Sequence, residues 1–429
     1  MRLARLRLPA LTGHLLWNGT ASVIGQGVTL LVTVLLSNRL GPTEYARYAI
    51  AVGTTLTLSA VAQSGLAFTA TNFVARLLKL DPASAAAVAR FCIRAALIAG
   101  LVFSAGLIML AVPVARDIYQ DASLVPIFVI AAAAIPFAAL TAVQSGVAIG
   151  LQRFRIQTVA ATVFAISLLA FTSAGVTLAG SIGAAVGYAI ATALRAGYLQ
   201  LTLVTLKAQA AGSRTSSDIA REIFPFALPA AIAGLTLTPA VWGTNALLAG
   251  RHGLHDLGVF SAALTLKTLI AFVPMQLGTV FLPQYVARRM EDGAGARRQL
   301  ILAVLAVASF SAALAVLFGV FGDIAMTAFG ADFAQGADVL RWLMLSVVFE
   351  CTATLWSYRL AAERRMWASV LGFTIPKDMI LVIAAFILVP AHGAEGLAIA
   401  HLASWIYAML ALAVMALLHE KSDSHRSSA

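Results

Sequence analysis

Five ionisable residues lie deep inside apolar stretches of the chain: Arg195, Lys267, Glu350, Lys377 and Asp378. Placing such a group at the centre of a membrane helix costs roughly 2.5–3.5 kcal/mol, so each needs a partner or a task. Three cations against two acids leave a surplus of positive charge. Arg and Lys facing a hydrated cavity attract anions, phosphate and pyrophosphate above all. Arg195, Lys267 and Lys377 are therefore the expected substrate-binding residues. Glu350 and Asp378 are expected either to take up a coupling ion or to pair with a cation on a neighbouring helix. Lys377 and Asp378 are adjacent, so on a helix they point about 100° apart. Pro376 before them leaves the Gly372 carbonyl without its helical donor and predicts a kink. Arg341, near the end of its stretch, is expected to snorkel to the interface. His401 is a further titratable group. The amides Asn18, Gln26, Gln63, Gln144, Asn245 and Gln276 suit sugar hydroxyls and helix–helix hydrogen bonds alike.

The elements that carry these residues are apolar stretches at 15–37, 48–72, 92–114, 125–149, 157–179, 182–206, 225–249, 257–285, 299–321, 338–360, 367–390 and 395–418. Each is long enough to cross a hydrocarbon core of about 30 Å, which takes about 20 helical residues. Of 29 Lys and Arg residues, 21 fall in or at the edge of alternate gaps, counted from the N-terminus. The intervening gaps hold four. The positive-inside rule makes the basic set cytoplasmic, both termini included. The start Met1–Arg7 is basic, but the apolar stretch after it is too long for a signal peptide and reads as a first membrane helix.

Composition narrows the function further. The chain is 61% hydrophobic and 11% charged, against about 25% charged in soluble proteins. No gap is long enough for a soluble domain. The net charge of +11 is spread over separate cytoplasmic segments, which fits topology and anionic lipid better than nucleic acid. Cys92 and Cys351 lie in apolar stretches and suggest neither a disulfide framework nor a metal site. There is no phosphate-binding glycine loop, nucleophile elbow, zinc-protease motif or paired-cysteine motif. The expectation is a non-enzyme without cofactors.

The chain also repeats itself. Arg39–Ala49 and Arg251–Ser261 share Arg, Gly, an acid and an aromatic in register, 212 residues apart. Gly183–Ala191 matches Gly393–Ala400 with one gap, at an offset near 209. Six stretches separate the copies, so the repeats are parallel and related by an axis along the membrane normal. This predicts an all-α integral membrane fold of about 12 helices. A six-helix lobe would span 1–206, a cytoplasmic linker 207–224, a second lobe 225–418 and a polar tail 419–429. In such a plan the substrate sits between the lobes and alternating access follows from rocking them.

The motifs resemble the polysaccharide-transporter branch of the multidrug/oligosaccharidyl-lipid/polysaccharide flippase superfamily. The most characteristic piece is Arg39-Leu40-Gly41-Pro42-Thr43-Glu44-Tyr45-Ala46-Arg47-Tyr48, with Ala46 where the family usually has glycine; Gly258 in the second copy keeps it. Gly65-Leu66 with Arg76, Gly150-Leu151-Gln152-Arg153-Phe154 and the turn at Gly183–Gly187 also fit. The resemblance implies a V-shaped two-lobe transporter in the bacterial cytoplasmic membrane. Its substrate would be an oligosaccharide on polyprenyl pyrophosphate, flipped outward for O-antigen, capsule or exopolysaccharide synthesis. Membrane lipid and a polysaccharide polymerase or glycosyltransferases would be its partners. A drug/cation antiporter of the same superfamily is the alternative. It would need free carboxylates, and only Glu350 and Asp378 are on offer. A scaffold for membrane glycosyltransferases would need no buried charge at all.

Overall fold

The computed structural model describes residues 8–63, 65–78, 80–203, 238–272, 274–275, 293–362 and 366–427. The expected linker 207–224, the start of the stretch 225–249 and the end of 257–285 lie outside them, as do the side chains of Asn18, Gln276 and the polar tail. Among the described residues the protein is all helical: α1 (Leu8–Gln63), α2 (Leu66–Leu77), α3 (Pro82–Pro113), α4 (Val125–Gly150), α5 (Phe154–Leu203), α6 (Thr238–Phe272), α7 (Gly293–Val320), α8 (Gly322–Thr327), α9 (Ala337–Ala362), α10 (Met366–Ser369) and α11 (Ile375–Ser427). Seven helical segments are long and apolar enough to cross a membrane, or eight if the bent pair Gly25–Gln63 and Leu66–Leu77 forms one span. Large apolar side chains lie on the outside, with Met109 81% and Leu178 85% exposed. Such a surface suits lipid and not water, and the chain is a multi-pass membrane protein.

Several expected spans are arms of one broken helix. A straight helix of 50 residues would be about 75 Å long, far more than a bilayer core. α5 avoids this by breaking at Ala179–Gly180, where Gly180 takes φ 57° and ψ −136°. α11 breaks at Gly393, with φ 53° and ψ −130°. These left-handed φ values favour glycine, which has no Cβ to clash. After each break the arms fold back on each other. A Cβ on Gly183 would lie 2.0 Å from the Gly175 carbonyl oxygen, and one on Gly396 would lie 2.4 Å from that of Leu388. Both turns therefore use Gly-x-x-Gly: the first glycine makes the turn and the second lets the arms touch. Gly180 and Gly183 stand 213 residues before Gly393 and Gly396. This corrects the alignment of Gly183 with Gly393. The repeat follows the turn geometry and agrees within one residue with the 212 of the other match.

α1 and α6 break likewise at Gly41 (φ 70°) and Gly253 (φ 86°). All four breaks fall in the gaps poor in Lys and Arg.

The chain divides into two compact units, Met1–Leu40 with Arg47–Thr238 and Gly41–Ala46 with Pro239–Ala429. In the first, α2, α3 and α4 pack through small residues, including Ala70, Ala86, Ala89, Ala96 and Val147. Gly146 lies against the Ala67 carbonyl, and Thr71 Oγ1 donates to the Gly146 carbonyl at 3.0 Å. Close backbone approach of this kind holds helices together where lipid removes the hydrophobic drive. Cys92 is a buried member of this core.

In the second unit, α9 packs against α7 and α11. Ala353, Phe373, Ala408 and Leu412 form a core with Trp356 and Trp405 around it. The six residues Gly41–Ala46 belong here as well. A Cβ on Gly258 would lie 2.0 Å from the Pro42 carbonyl oxygen, and Tyr45 meets Phe333 edge-on with centroids 6.1 Å apart. Pro42 leaves no room for a Cβ at Gly258. At Ala46 the methyl is fully buried and accommodated.

Candidate functional site

In the first unit Arg195 stands on the second arm of α5. Its guanidinium carbon lies 5.6 Å from the centroid of Phe164, on the first arm, and Phe164 meets Tyr188 edge-on at 6.3 Å. The hairpin break at Gly180 is what brings these positions together. Cation–π contact stabilises a guanidinium without neutralising it. No carboxylate pairs with Arg195 among the described residues, and its Nε has no hydrogen-bond partner among them. It is a half-buried cation without a carboxylate partner among the described residues.

The second unit treats its charges differently. Lys267 on α6 binds Glu350 on α9, Nζ to Oε2, at 2.5 Å. Lys377 binds its neighbour Asp378 on α11. The Lys377 ammonium also lies 4.8 Å from the Trp405 ring centroid, on the far arm of α11. His401 is 6% exposed, sits 5.8 Å from Phe260, and leaves its Nε2 without a partner among the described residues. Each pair holds one ammonium group and one carboxylate, so each is neutral. The surplus positive charge of the five residues thus resides at Arg195.

Pro376 has its effect through a π-turn. Residues Val370–Thr374 form one turn of π-helix, and the Ile375 N–H reaches the Val370 carbonyl five residues back. The wider turn absorbs the donor that proline lacks. It also sets Lys377 over Trp405.

Other expectations are met differently. Arg341 does not simply snorkel. Its Nη1 binds Asp338 at 2.5 Å, its Nη2 binds Asp323 at 3.0 Å and its Nε donates to the Gly319 carbonyl at 3.1 Å. That carbonyl is in the last turn of α7, which has no further helical donors. Gln144 donates to Gln200 at 2.9 Å, a helix–helix bond. Gln26 is half-buried. Gln63 Oε1 and Asn245 Oδ1 are buried without partners among the described residues.

Phe164, Tyr188 and Trp405 were not singled out by their sequence, although an aromatic one turn beyond His401 was visible. Two further polar ties stand near the helix breaks. Arg47 binds Asp121 at 3.4 Å in the first unit. Burial raises the Asp121 carboxyl, but hydrogen bonds from Ser123 and the charge of Arg47 outweigh it and hold the carboxyl below its ordinary value. In the second unit His252 Nε2 donates to the Val389 carbonyl at 2.8 Å, and its Nδ1 lies 3.9 Å from Asp256. His255 meets Asp256 at 3.6 Å and accepts from the Gln335 amide at 3.0 Å. The His-Gly pair inside the repeated motif was the available signal.

The chain superimposes on a multidrug resistance MATE family transporter of the MOP superfamily in its inward-facing conformation, with TM-score 0.73 and 17% identity, over 94% of this chain and 95% of that one. It superimposes on the lipid II flippase MurJ, inward closed, with TM-score 0.76 and 14% identity over 93% and 87%. At these identities the likeness is one of fold. The polysaccharide biosynthesis protein family matches residues 12–286, and the chain belongs to that family. The EPS I polysaccharide export inner membrane protein EpsE of Ralstonia nicotianae is 27% identical over 176 residues, 41% of this chain. The match spans 40% of that relative's length.

Proposed function

We propose that the protein is a flippase for an oligosaccharide carried on polyprenyl pyrophosphate. It moves the headgroup from the cytoplasmic to the outer leaflet of a bacterial cytoplasmic membrane while the tail stays in lipid. The observation that carries this reading is Arg195: a half-buried guanidinium with its Nε buried and no carboxylate partner among the described residues, in a chain of the polysaccharide biosynthesis family. A buried unpaired charge is expensive, and an anionic substrate relieves it.

The arms of α1, α5, α6 and α11, counted with the other membrane helices, support twelve crossings arranged as two six-helix lobes, 1–206 and 225–418, with both termini cytoplasmic. Arg195, Lys267 and Lys377 are the substrate-binding residues of this proposal. Glu350 and Asp378 are the groups that pair or couple. Alternating access opens the headgroup site first to one side and then to the other. The membrane potential favours outward movement of an anion by about 2.3 kcal/mol per charge at 100 mV, or about 4.6 kcal/mol for a doubly charged pyrophosphate.

The test is transbilayer movement of a polyprenyl-pyrophosphate oligosaccharide in proteoliposomes. Arg195→Ala should abolish it while the protein remains folded. Unchanged movement in that variant would remove Arg195 from the site. Efflux of an organic cation, with no movement of any lipid-linked sugar, would favour the antiporter. Against that alternative, both candidate carboxylates are occupied by lysines.

A further inference from the structure

Resting on the anion-binding reading above, we infer that the Lys267–Glu350 pair is an exchange site, where an anionic headgroup displaces the carboxylate and the freed carboxylate takes a proton. The two lysine pairs of the second unit are not equivalent. Lys377 and Asp378 are adjacent in sequence and their side chains are only 5% and 4% exposed, so that pair moves as one piece. Lys267 and Glu350 come from different helices, α6 and α9, and their side chains are 6% and 18% exposed. The carboxylate is the more accessible partner. Any motion that separates α6 from α9 divides this pair.

The chemistry of the exchange follows from what remains after displacement. Lys267 is already neutralised, so it binds a phosphoryl oxygen only by giving up Glu350. A carboxylate left alone in a low-dielectric interior does not stay ionised; it takes a proton instead. One ammonium–carboxylate contact breaks, one ammonium–phosphoryl contact forms, and one proton from water ends on Glu350. Lys267 keeps its charge throughout. The groups facing the exchange are Lys267 on α6, Glu350 and Cys351 on α9, Ser311 on α7, and Lys377, Asp378 and His401 on α11. None of the others loses its ion partner when the headgroup enters at Lys267. Among the described residues Arg195 has no carboxylate to displace, so binding there takes up no proton. The net charge carried by each bound headgroup is thereby one unit less negative than the headgroup alone.

The experiment is binding of farnesyl pyrophosphate to the purified full chain in detergent, from pH 5.5 to 8.5. Wild type is compared with Glu350→Gln, His401→Gln and the double variant Lys267→Gln/Glu350→Gln. The probe's own titration is common to all, so the difference in slope between wild type and Glu350→Gln isolates the protein's proton. The expected wild-type affinity rises with acidification by up to about tenfold per pH unit more than that of Glu350→Gln, the limit for one linked proton. Glu350→Gln should bind about tenfold more tightly than wild type at pH 8, because Lys267 is already free. His401→Gln should keep the wild-type slope. The double variant, neutral and close in size, should fold, lose the slope and bind more weakly than Glu350→Gln. Equal slopes in wild type and Glu350→Gln, or weaker binding by a folded Glu350→Gln, would overturn the exchange while leaving the anion site standing. If neither wild type nor Glu350→Gln binds the probe at any pH, the anion-binding reading itself fails.

Discussion

The two units share a way of turning and differ in how they handle charge. In each, a long helix doubles back at a Gly-x-x-Gly turn, with nearly the same dihedral angles at Gly180 and Gly393. Yet the first unit leaves Arg195 on an aromatic ring without a carboxylate partner among the described residues, whereas the second pairs its buried lysines, Lys267 and Lys377, with carboxylates. Backbone geometry is the shared property, because the packing of two arms tolerates no alternative at the second glycine. Side-chain charge is free to diverge, and the proposed function rests on that divergence.

The largest expected effect tests what is shared. Gly183→Val and Gly396→Val should each prevent stable folding, because even a Cβ would sit 2.0 and 2.4 Å from a carbonyl oxygen of the facing arm. Overpacking against side chains costs about 1–3 kcal/mol, and rigid backbone yields less. Loss of the monodisperse peak on size exclusion in detergent checks this. A folded Gly396→Val beside an unfolded Gly183→Val would show that the two turns are not equivalent.

The next effect tests the difference. Lys267→Met strands Glu350 and should destabilise the protein by about 3 kcal/mol, the scale for breaking a buried pair. Adding Glu350→Leu should recover most of that loss. Arg195→Met strands nothing and should leave the melting temperature nearly unchanged while abolishing transport. Thermal melting of the three variants gives the comparison, and equal destabilisation by Lys267→Met and Arg195→Met would erase the distinction drawn between the units.

Smaller effects belong to the turns. His252→Ala removes the donor to the Val389 carbonyl beside the Gly393 break, a loss of about 1 kcal/mol. Hydrogen exchange localised to the end of the first arm of α11 would report it. Asp121→Asn should matter least, below about 1 kcal/mol for a pair so open to solvent. Because the folded carboxyl is held below its ordinary value, its contribution is present above the ordinary carboxylate range. It is lost as pH falls through the lowered value. Wild type should therefore lose its advantage over Asp121→Asn in acid, read as converging melting temperatures.

Much of this architecture was legible in the residues. Apolar length and the bias of Lys and Arg locate the membrane segments, and glycines at matching positions announce the repeat. The register of that repeat was not legible to the residue, because alanine and glycine match loosely and only the turn shows which glycine has positive φ. Arg195, Lys267, Glu350, Lys377 and Asp378 stand out for being costly where they are. Their pairing depends on which faces of α6 and α9 meet, and no spacing along the chain encodes that. Lys377 and Asp378 point apart along the backbone, yet a long, flexible ammonium stem reaches back to its neighbour. Arg341 is exposed, as expected of a snorkelling side chain, but its ties to Asp323 and Asp338 become visible only once the α7–α8 turn is in place.

The break at Gly180 has a consequence for how the protein is made. Ala179 and Gly180 carry no charge and no loop, so nothing hydrophilic has to be pushed through the bilayer to place this turn on the far side. Both arms of α5 satisfy their own backbone hydrogen bonds and touch along glycine. The newly synthesised segment is therefore able to enter lipid as a single prefolded hairpin.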